Sequence, residues 1–337
     1  MMWTQTEPGG DAWSHPEPLG IWPAGDAVSR CLPRLDVIRD GQGRLHVIAM
    51  RSVVGADHYD HLREVMHVQQ DVADGPFGAW QSLGSPHEQH NFDRRRAVGI
   101  PVAVATGAGN PLVVLRNFGT GLSARNSFGQ AWGNWRDLHG GTLDGACALT
   151  LKRGITEIYA TTKTGMLRWY QQAPGGPLLH DYGTLLPRPA GSVTLLEQTD
   201  GRLVMIARQP STGWLVAHRQ REAGGAWNPQ AELLDTTPGY GPIVTAELPQ
   251  GGGVILIQRR DDGNLSISRQ PLDGSPFHPQ WTPVHSGPFV HTPSAAFDTA
   301  GRLVIAVIGP DADLHTLLVD QQATEPAEPA ALQAAGK

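Results

Sequence analysis

Charge is scarce in this chain: 17% of 337 residues, with a formal net charge of -6. That balance lacks the basic footprint that binds nucleic acid. Arg94-Arg95-Arg96 is the one dense basic cluster. Cysteine is nearly absent too. Cys31 and Cys147 are too few for a disulfide framework, and both are expected to be free buried thiols. No apolar run approaches membrane-spanning length, so no membrane partner is expected. The start, Met1 to Pro8, carries neither a basic region nor an apolar stretch, so no secretory signal is expected and a cytoplasmic origin is the default. No amphipathic run at helical period occurs, which argues against helical and doubly wound folds. A phosphate-binding glycine loop, a nucleophile elbow, an EF-hand loop and a His-Glu-x-x-His zinc motif are all missing.

What is abundant is punctuation. Gly 41 and Pro 27 divide the chain into short apolar runs. Gly191 to Leu234 states the pattern most cleanly, as four short runs separated by three glycine-rich turns, the signature of a four-stranded antiparallel meander. Such a sheet cannot cover its own faces, so copies must stack beside it.

The turn between first and second runs, Gly201-Arg202-Leu203, recurs at Gly43, Gly109, Gly154, Gly252 and Gly301. The successive spacings are 66, 45, 47, 51 and 49 residues. Five first strands are expected just after Pro33, Pro101, Pro189, Pro242 and Pro293, and the sixth at Gly145. Fourth strands follow an aromatic-x-x-Trp-x-x-Leu pattern, plainest at Trp132, Trp135 and Leu138. The sequence therefore predicts an all-β, six-bladed β-propeller of four-stranded antiparallel blades, one domain over residues 11–320. Residues 1–10 form an N-terminal arm and 321–337 a tail expected to stay disordered. The sixth copy has no fourth strand of its own. Trp13, Pro16 and Leu19-Gly20 fit that pattern ahead of the first copy, so the N-terminal strand is expected to close the last blade.

Asp200-Gly201-Arg202-Leu203, Ala207-Arg208, Thr212-Gly213-Trp214 and the close Trp132, Trp135, Leu138 resemble the bacterial tectonin-like propellers, among them the fucose-binding lectins of the Photorhabdus type. The resemblance implies a sugar ligand, held in shallow pockets between blades by aromatic stacking and hydrogen bonds. The copies have diverged here. One blade reads Lys152-Arg153-Gly154-Ile155 at the turn, and the strand-end arginine of Arg51, Arg116, Arg208 and Arg259 becomes Thr162 and Ile308. One asymmetric site is expected rather than six equal ones.

The long first spacing locates that site. Additions at Ser52 to Tyr59, between second and third strands, and at Pro86 to Val98, after the fourth strand, emerge on the same face of an up-and-down blade, at one mouth of the channel. The second packs His87, His90, Asp93, Arg94, Arg95 and Arg96 together. His139 and His285 occupy equivalent positions past two other fourth strands, and His291 and Tyr240 sit just before first strands. These place His90, His139, His285 and His291 as candidate acid–base groups. Trp22, His58, His61, His87, Asp93, Arg94 to Arg96 and Tyr240 are candidate ligand contacts. No cofactor is required, although imidazoles from several blades would suit a divalent metal. The most regular copy, Gly191 to Leu234, is expected only to hold the ring together. His46, His67, His218 and His315 lie inside predicted strands and read as packing or edge residues.

Two functions follow. The first is a lectin-like protein binding a glycan or other polyhydroxylated small molecule at the mouth. The alternative is an intracellular enzyme of secondary metabolism, a lyase, cyclase or isomerase, using histidine acid–base or metal-assisted chemistry there.

Overall fold

In the computed structural model the sheets follow the repeats. It describes residues 30–54, 61–88, 91–129, 131–181, 186–285, 287–310 and 314–319, with Met2, Thr6, Glu7, Ala12, Ser14 and Leu19 ahead of them; the side chains of 30–34, 53–54, 61, 92, 144–145 and 314 are not described. The first blade is β1 (Arg30–Arg39), β2 (Leu45–Val54), β3 (His61–Gln69) and β4 (Gln81–Gly84), followed by the short helix α1 (Phe92–Arg96). The second is β5 (Val102–Ala105), β6 (Pro111–Arg116), β7 (Leu122–Phe128) and, beside β7, both β8 (Ala131–Trp132) and β9 (Arg136–His139). The third comprises β10 (Thr142–Thr150), β11 (Thr156–Thr162), β12 (Met166–Gln171) and β13 (Leu178–Asp181). In the fourth are β14 (Thr194–Glu197), β15 (Leu203–Arg208), β16 (Leu215–Arg219) and β17 (Glu232–Asp235). The fifth holds β18 (Val244–Glu247), β19 (Gly253–Arg259), β20 (Leu265–Pro271) and β21 (Thr282–His285), and the sixth β22 (Ser294–Phe297), β23 (Leu303–Ile308) and β24 (Leu314–Val319). Each is an antiparallel meander, and the whole is a six-bladed propeller.

Some boundaries differ from the sequence reading. β1 and β10 begin earlier than expected, and Pro33 lies inside β1, where the register shifts between Cys31 and Leu35. Proline has no N–H to give a ladder, and an irregularity accommodates it. Ser52 to Val54 are strand, paired with His61 to Arg63, so the first addition lengthens a hairpin whose tip, 55–60, lies outside the described residues. The third blade's last strand is Leu178–Asp181; Tyr182 and Leu185, the worn version of the fourth-strand pattern in that blade, lie beyond it and outside the described residues.

Whereas β23 and β24 alternate, second and third strands of the first five blades are largely buried on both faces, and β11, β15 and β16 are buried along their whole length. That is why they read as continuous apolar runs instead of alternating ones. The core is divided among seams. One cluster joins Ile48, Met50 and Val65 of the first blade to Val113 and Leu115 of the second, and four more join each following pair of blades. Indole N–H groups stitch the same seams: Trp135 Nε1 donates to Leu83 O at 2.9 Å and Trp281 Nε1 to Leu234 O at 2.9 Å. This satisfies the polar tip of a ring whose body packs between sheets. In the third blade the duty falls to Trp169 on β12, fully buried, with Nε1 2.9 Å from Leu138 O. Gly140 makes room for it: a Cβ there would lie 2.7 Å from Trp169 Cζ2.

Among the described residues the sixth sheet has three strands. Trp13, Pro16 and Gly20 lie outside them, as do all of 321–337 and most of 1–10. Leu19 is described, and its carbonyl accepts Trp80 Nε1 at 2.5 Å, the role that Leu83 plays for Trp135 in the next seam. Leu35 and Val37 of β1, on the side turned away from the second blade, are about half exposed at 51% and 53%.

Hairpin turns between first and second strands lie on one face. There the recurring aspartate and arginine pair with each other, Arg44 with Asp40 at 2.7 Å, Arg202 with Asp200 at 2.6 Å and Arg302 with Asp298 at 3.0 Å. The Asp-Gly-Arg-Leu motif thus locks turns. The other face carries the first blade's additions.

Candidate functional site

The helix α1 gives the second addition its shape. Asn91 caps it, its Oδ1 accepting from Arg94 N at 3.3 Å, with Asp93 in the first turn and Arg94 to Arg96 in the last. Charge thus complements the backbone dipole at both ends. The three arginines then diverge. Arg95 is buried and donates to Glu64 Oε1 at 2.6 Å, while Arg51 meets Glu64 Oε2 at 2.7 Å. The two guanidinium groups hold the Glu64 carboxyl below its usual range against the opposing effect of burial. Arg96 pairs with Asp93 at the surface. Arg94 lies over the half-exposed Phe118 ring, 5.9 Å from its centroid.

His87 joins that group. Its Nε2 accepts the Phe118 N–H at 3.0 Å, and burial together with the Arg94 charge lowers its pKa. Asp137 faces it and also receives Asn117 Nδ2 at 3.3 Å and the His139 N–H at 2.8 Å. The His139 ring is exposed, 3.5 Å from Asp137 Oδ2. The fold therefore gathers His87, Arg94 and His139 around Phe118 and Asp137 at the first seam.

The remaining candidates do not join them. His139 and His285 are equivalent, pairing with Leu122 and Leu265 just beyond a register shift, but they stand in the second and fifth blades. His285 packs on Phe289, with ring centroids 5.2 Å apart, and Tyr240 is exposed with Arg259 5.6 Å from its ring centroid. His291 is exposed. Trp22, His58 and His90 lie outside the described residues, and the side chain of His61 is not described. Among the described residues no group of three His, Cys, Asp or Glu side chains is arranged to hold a metal ion.

Two recesses lie elsewhere among the described residues. One, of about 460 Å³, lies between first strands of the fifth and sixth blades, lined by Thr245, Glu247, Pro249, Phe297 and Asp298, toward the turn-locked face. The other, of about 400 Å³, opens between the third and fourth blades on the face that carries the additions. Its walls come from the β13–β14 connection (Leu186 to Pro189), the β15–β16 turn (Gln209 to Ser211), and Met166, Met205 and His218. Pro187, Pro189, Pro210 and Pro229 ring it. Having no N–H and a fixed φ, they keep these connections stiff and off the sheet edges.

His218 is the polar group built into that wall. It lies directly across the ladder from Met205, is 8% exposed, and its Nδ1 is buried without a partner. A hydrogen bond to the Asn228 backbone raises its pKa somewhat, but burial prevails and lowers it. The ring is therefore neutral near pH 7. Its donor serves the Asn228 carbonyl, and Nδ1 is left as a bare acceptor. The sequence reading took His218 for packing and this blade for scaffold. The available signal was Pro187-Arg188-Pro189, which occurs once in the chain.

Comparison with known proteins agrees on architecture. No protein-family model matches the chain, and no curated protein matches its sequence. The BP39L lectin from Burkholderia pseudomallei is similar over 91% of this chain and 86% of its own, with a TM-score of 0.64 at 13% identity. The SapL1 lectin in complex with alpha methyl fucoside matches 85% of this chain and 96% of its own, TM-score 0.52, at 12% identity. The NanB sialidase from Streptococcus pneumoniae matches 86% and 68%, TM-score 0.61, at 9% identity. At such identities the likeness is one of fold. No helix among the described residues is long and apolar enough to cross a membrane.

Proposed function

We propose that this protein is a lectin-like propeller that binds a glycan or other polyhydroxylated small molecule at one asymmetric site, on the face that carries the first blade's additions. The observation that carries this reading is the recess between the third and fourth blades. Its volume of about 400 Å³ falls within the range of small-molecule sites, and it combines apolar walls with the exposed Arg188 and with His218, whose Nδ1 is buried without a partner. The lectin and sialidase neighbours and the tectonin-like turn motif support the same ligand class by analogy of fold. A single site agrees with the lining, since Pro187-Arg188-Pro189 is not repeated in other blades. The cluster of His87, Arg94, Phe118 and His139 lies on the same face, where it would meet the further units of a longer glycan.

Binding in this reading uses protein groups alone, and metal analysis of the purified protein checks that point. A glycan array followed by calorimetry tests the rest. One ligand per chain is expected. A stoichiometry near six would refute the single site, and an array without a binder would refute the glycan.

A further inference from the structure

We infer that the recess between the third and fourth blades selects an acidic sugar: a monosaccharide-sized ring with a carboxylate at the rim and a hydroxyl directed at His218. The inference rests on the glycan reading above and adds the charge of the ligand. Of the described residues that line the recess, ten are apolar, five are polar and none is acidic. Each hydroxyl of a neutral sugar carries a donor, and a lining without a carboxylate offers those donors no charged acceptor.

The polar five are not equivalent. Arg208 is already committed, its donors reaching Gly213 O at 3.2 Å, Gly241 O at 3.4 Å and Gln258 Oε1 at 3.4 Å. Gln209 Oε1 accepts from Thr212 at 3.1 Å. Arg188 differs: its side chain is exposed at the rim and makes no ion pair or hydrogen bond with the described residues. A guanidinium offers two parallel donors that match a carboxylate. His218 Nδ1, which has no partner in the protein, is the complementary acceptor for a hydrogen bond donated by a ligand hydroxyl. Between these two groups, Met166, Met205, Pro189 and Pro229 present apolar surface suited to the C–H face of a sugar ring.

Matched ligands separate charge from sugar. Binding of glucuronate against glucose, and of galacturonate against galactose, is measured by calorimetry on the full chain, wild type and Arg188→Gln. Because Arg188 is exposed and unpaired, that variant keeps its fold, and an unchanged melting curve verifies it. In at least one pair the acid is expected to bind tenfold or more tightly than its neutral parent, with affinity falling as salt rises. Arg188→Gln should remove that preference, bringing the acid to within about twofold of its neutral parent. His218→Gln should weaken both members. Equal binding of acid and parent, or an acid preference that survives Arg188→Gln, overturns the inference. If neutral sugars bind and the acids do not, the selection for charge fails while the lectin reading stands; if none of the four binds, the inference fails and the glycan array decides the lectin reading.

Discussion

Acidification should destabilise this propeller well before its carboxylates titrate, through a histidine pair sealed in the first seam. His46 and His67 are each 1% exposed and stack with ring centroids 5.2 Å apart. His46 Nδ1 and His67 Nε2 are 2.9 Å apart, so one donates to the other, and the far side of His46 reaches Asp40 Oδ2 at 3.1 Å. Trp132 packs edge-on against His67 at 5.0 Å, and His67 Nδ1 is buried without a partner. Burial and the neighbouring His46 lower the His67 pKa to about 3, and burial lowers that of His46 despite Asp40. In the unfolded chain an imidazole titrates near 6.5, so between the two values the unfolded state binds the extra proton and stability falls as pH falls. The slope approaches about 1.4 kcal/mol per pH unit for one such group below pH 6.5, so descending from pH 7.5 to 4.5 costs about 2.7 kcal/mol from His67 alone. Asp40, held at about 2, is ionised in both states over most of that window and contributes only as the pH drops through the ordinary carboxylate range. Urea unfolding of wild type and His67→Phe at pH 7.5, 6.5, 5.5 and 4.5 measures the effect, because phenylalanine keeps a ring against Trp132 and removes the titration. Wild type should lose about 2 to 3 kcal/mol more than the variant. Equal pH slopes, or a His67 Cε1–H resonance that titrates near pH 6.5, would refute the reasoning.

Two further tests address packing and charge. Gly140 has φ +97° with Trp169 behind it, whereas Gly84 has φ +70° and nothing within 4 Å of an added Cβ. Gly140→Ala should therefore cost about 3 kcal/mol and Gly84→Ala about 1 kcal/mol by chemical denaturation, and equal losses would dismiss the Trp169 clash. Glu64→Gln strands the Arg51 and Arg95 guanidinium groups around a neutral amide; a loss of roughly 3 kcal/mol is expected, with Arg95→Met milder, and a lower melting temperature for Arg95→Met than for Glu64→Gln would contradict that order.

Much of the fold is legible in the sequence because its determinants are local. Each blade is a meander whose strands pair with their sequence neighbours, so turn chemistry and strand length largely specify it. Trp132 and Trp135, which mark the fourth-strand pattern most plainly, lie half-buried at a seam, as do Trp80 and Trp281, and Trp227 is buried. Where the reading slipped, a non-local partner decided. Trp169 stands on a third strand, and what gives it the seam duty is the Leu138 carbonyl of the preceding blade. The three arginines read as one basic loop, yet Glu64, on a strand about thirty residues earlier, draws Arg95 out of solvent.

The candidate site was legible only in its face. Alternation of turns along a meander dictates which connections emerge together, so the sequence by itself determined six copies, their strand order, and the side of the ring on which the irregular segments lie. It could not say which seam gapes. That depends on how two sheets pack across a boundary where Met166, Leu186 to Pro189, Met205 to Ser211, His218 and Pro229, scattered over more than sixty residues, close around one space. Propensity and period act within a blade, whereas a recess exists only between blades. For that physical reason only the tertiary structure places His218, across the ladder from Met205, in the lining of a recess between two blades.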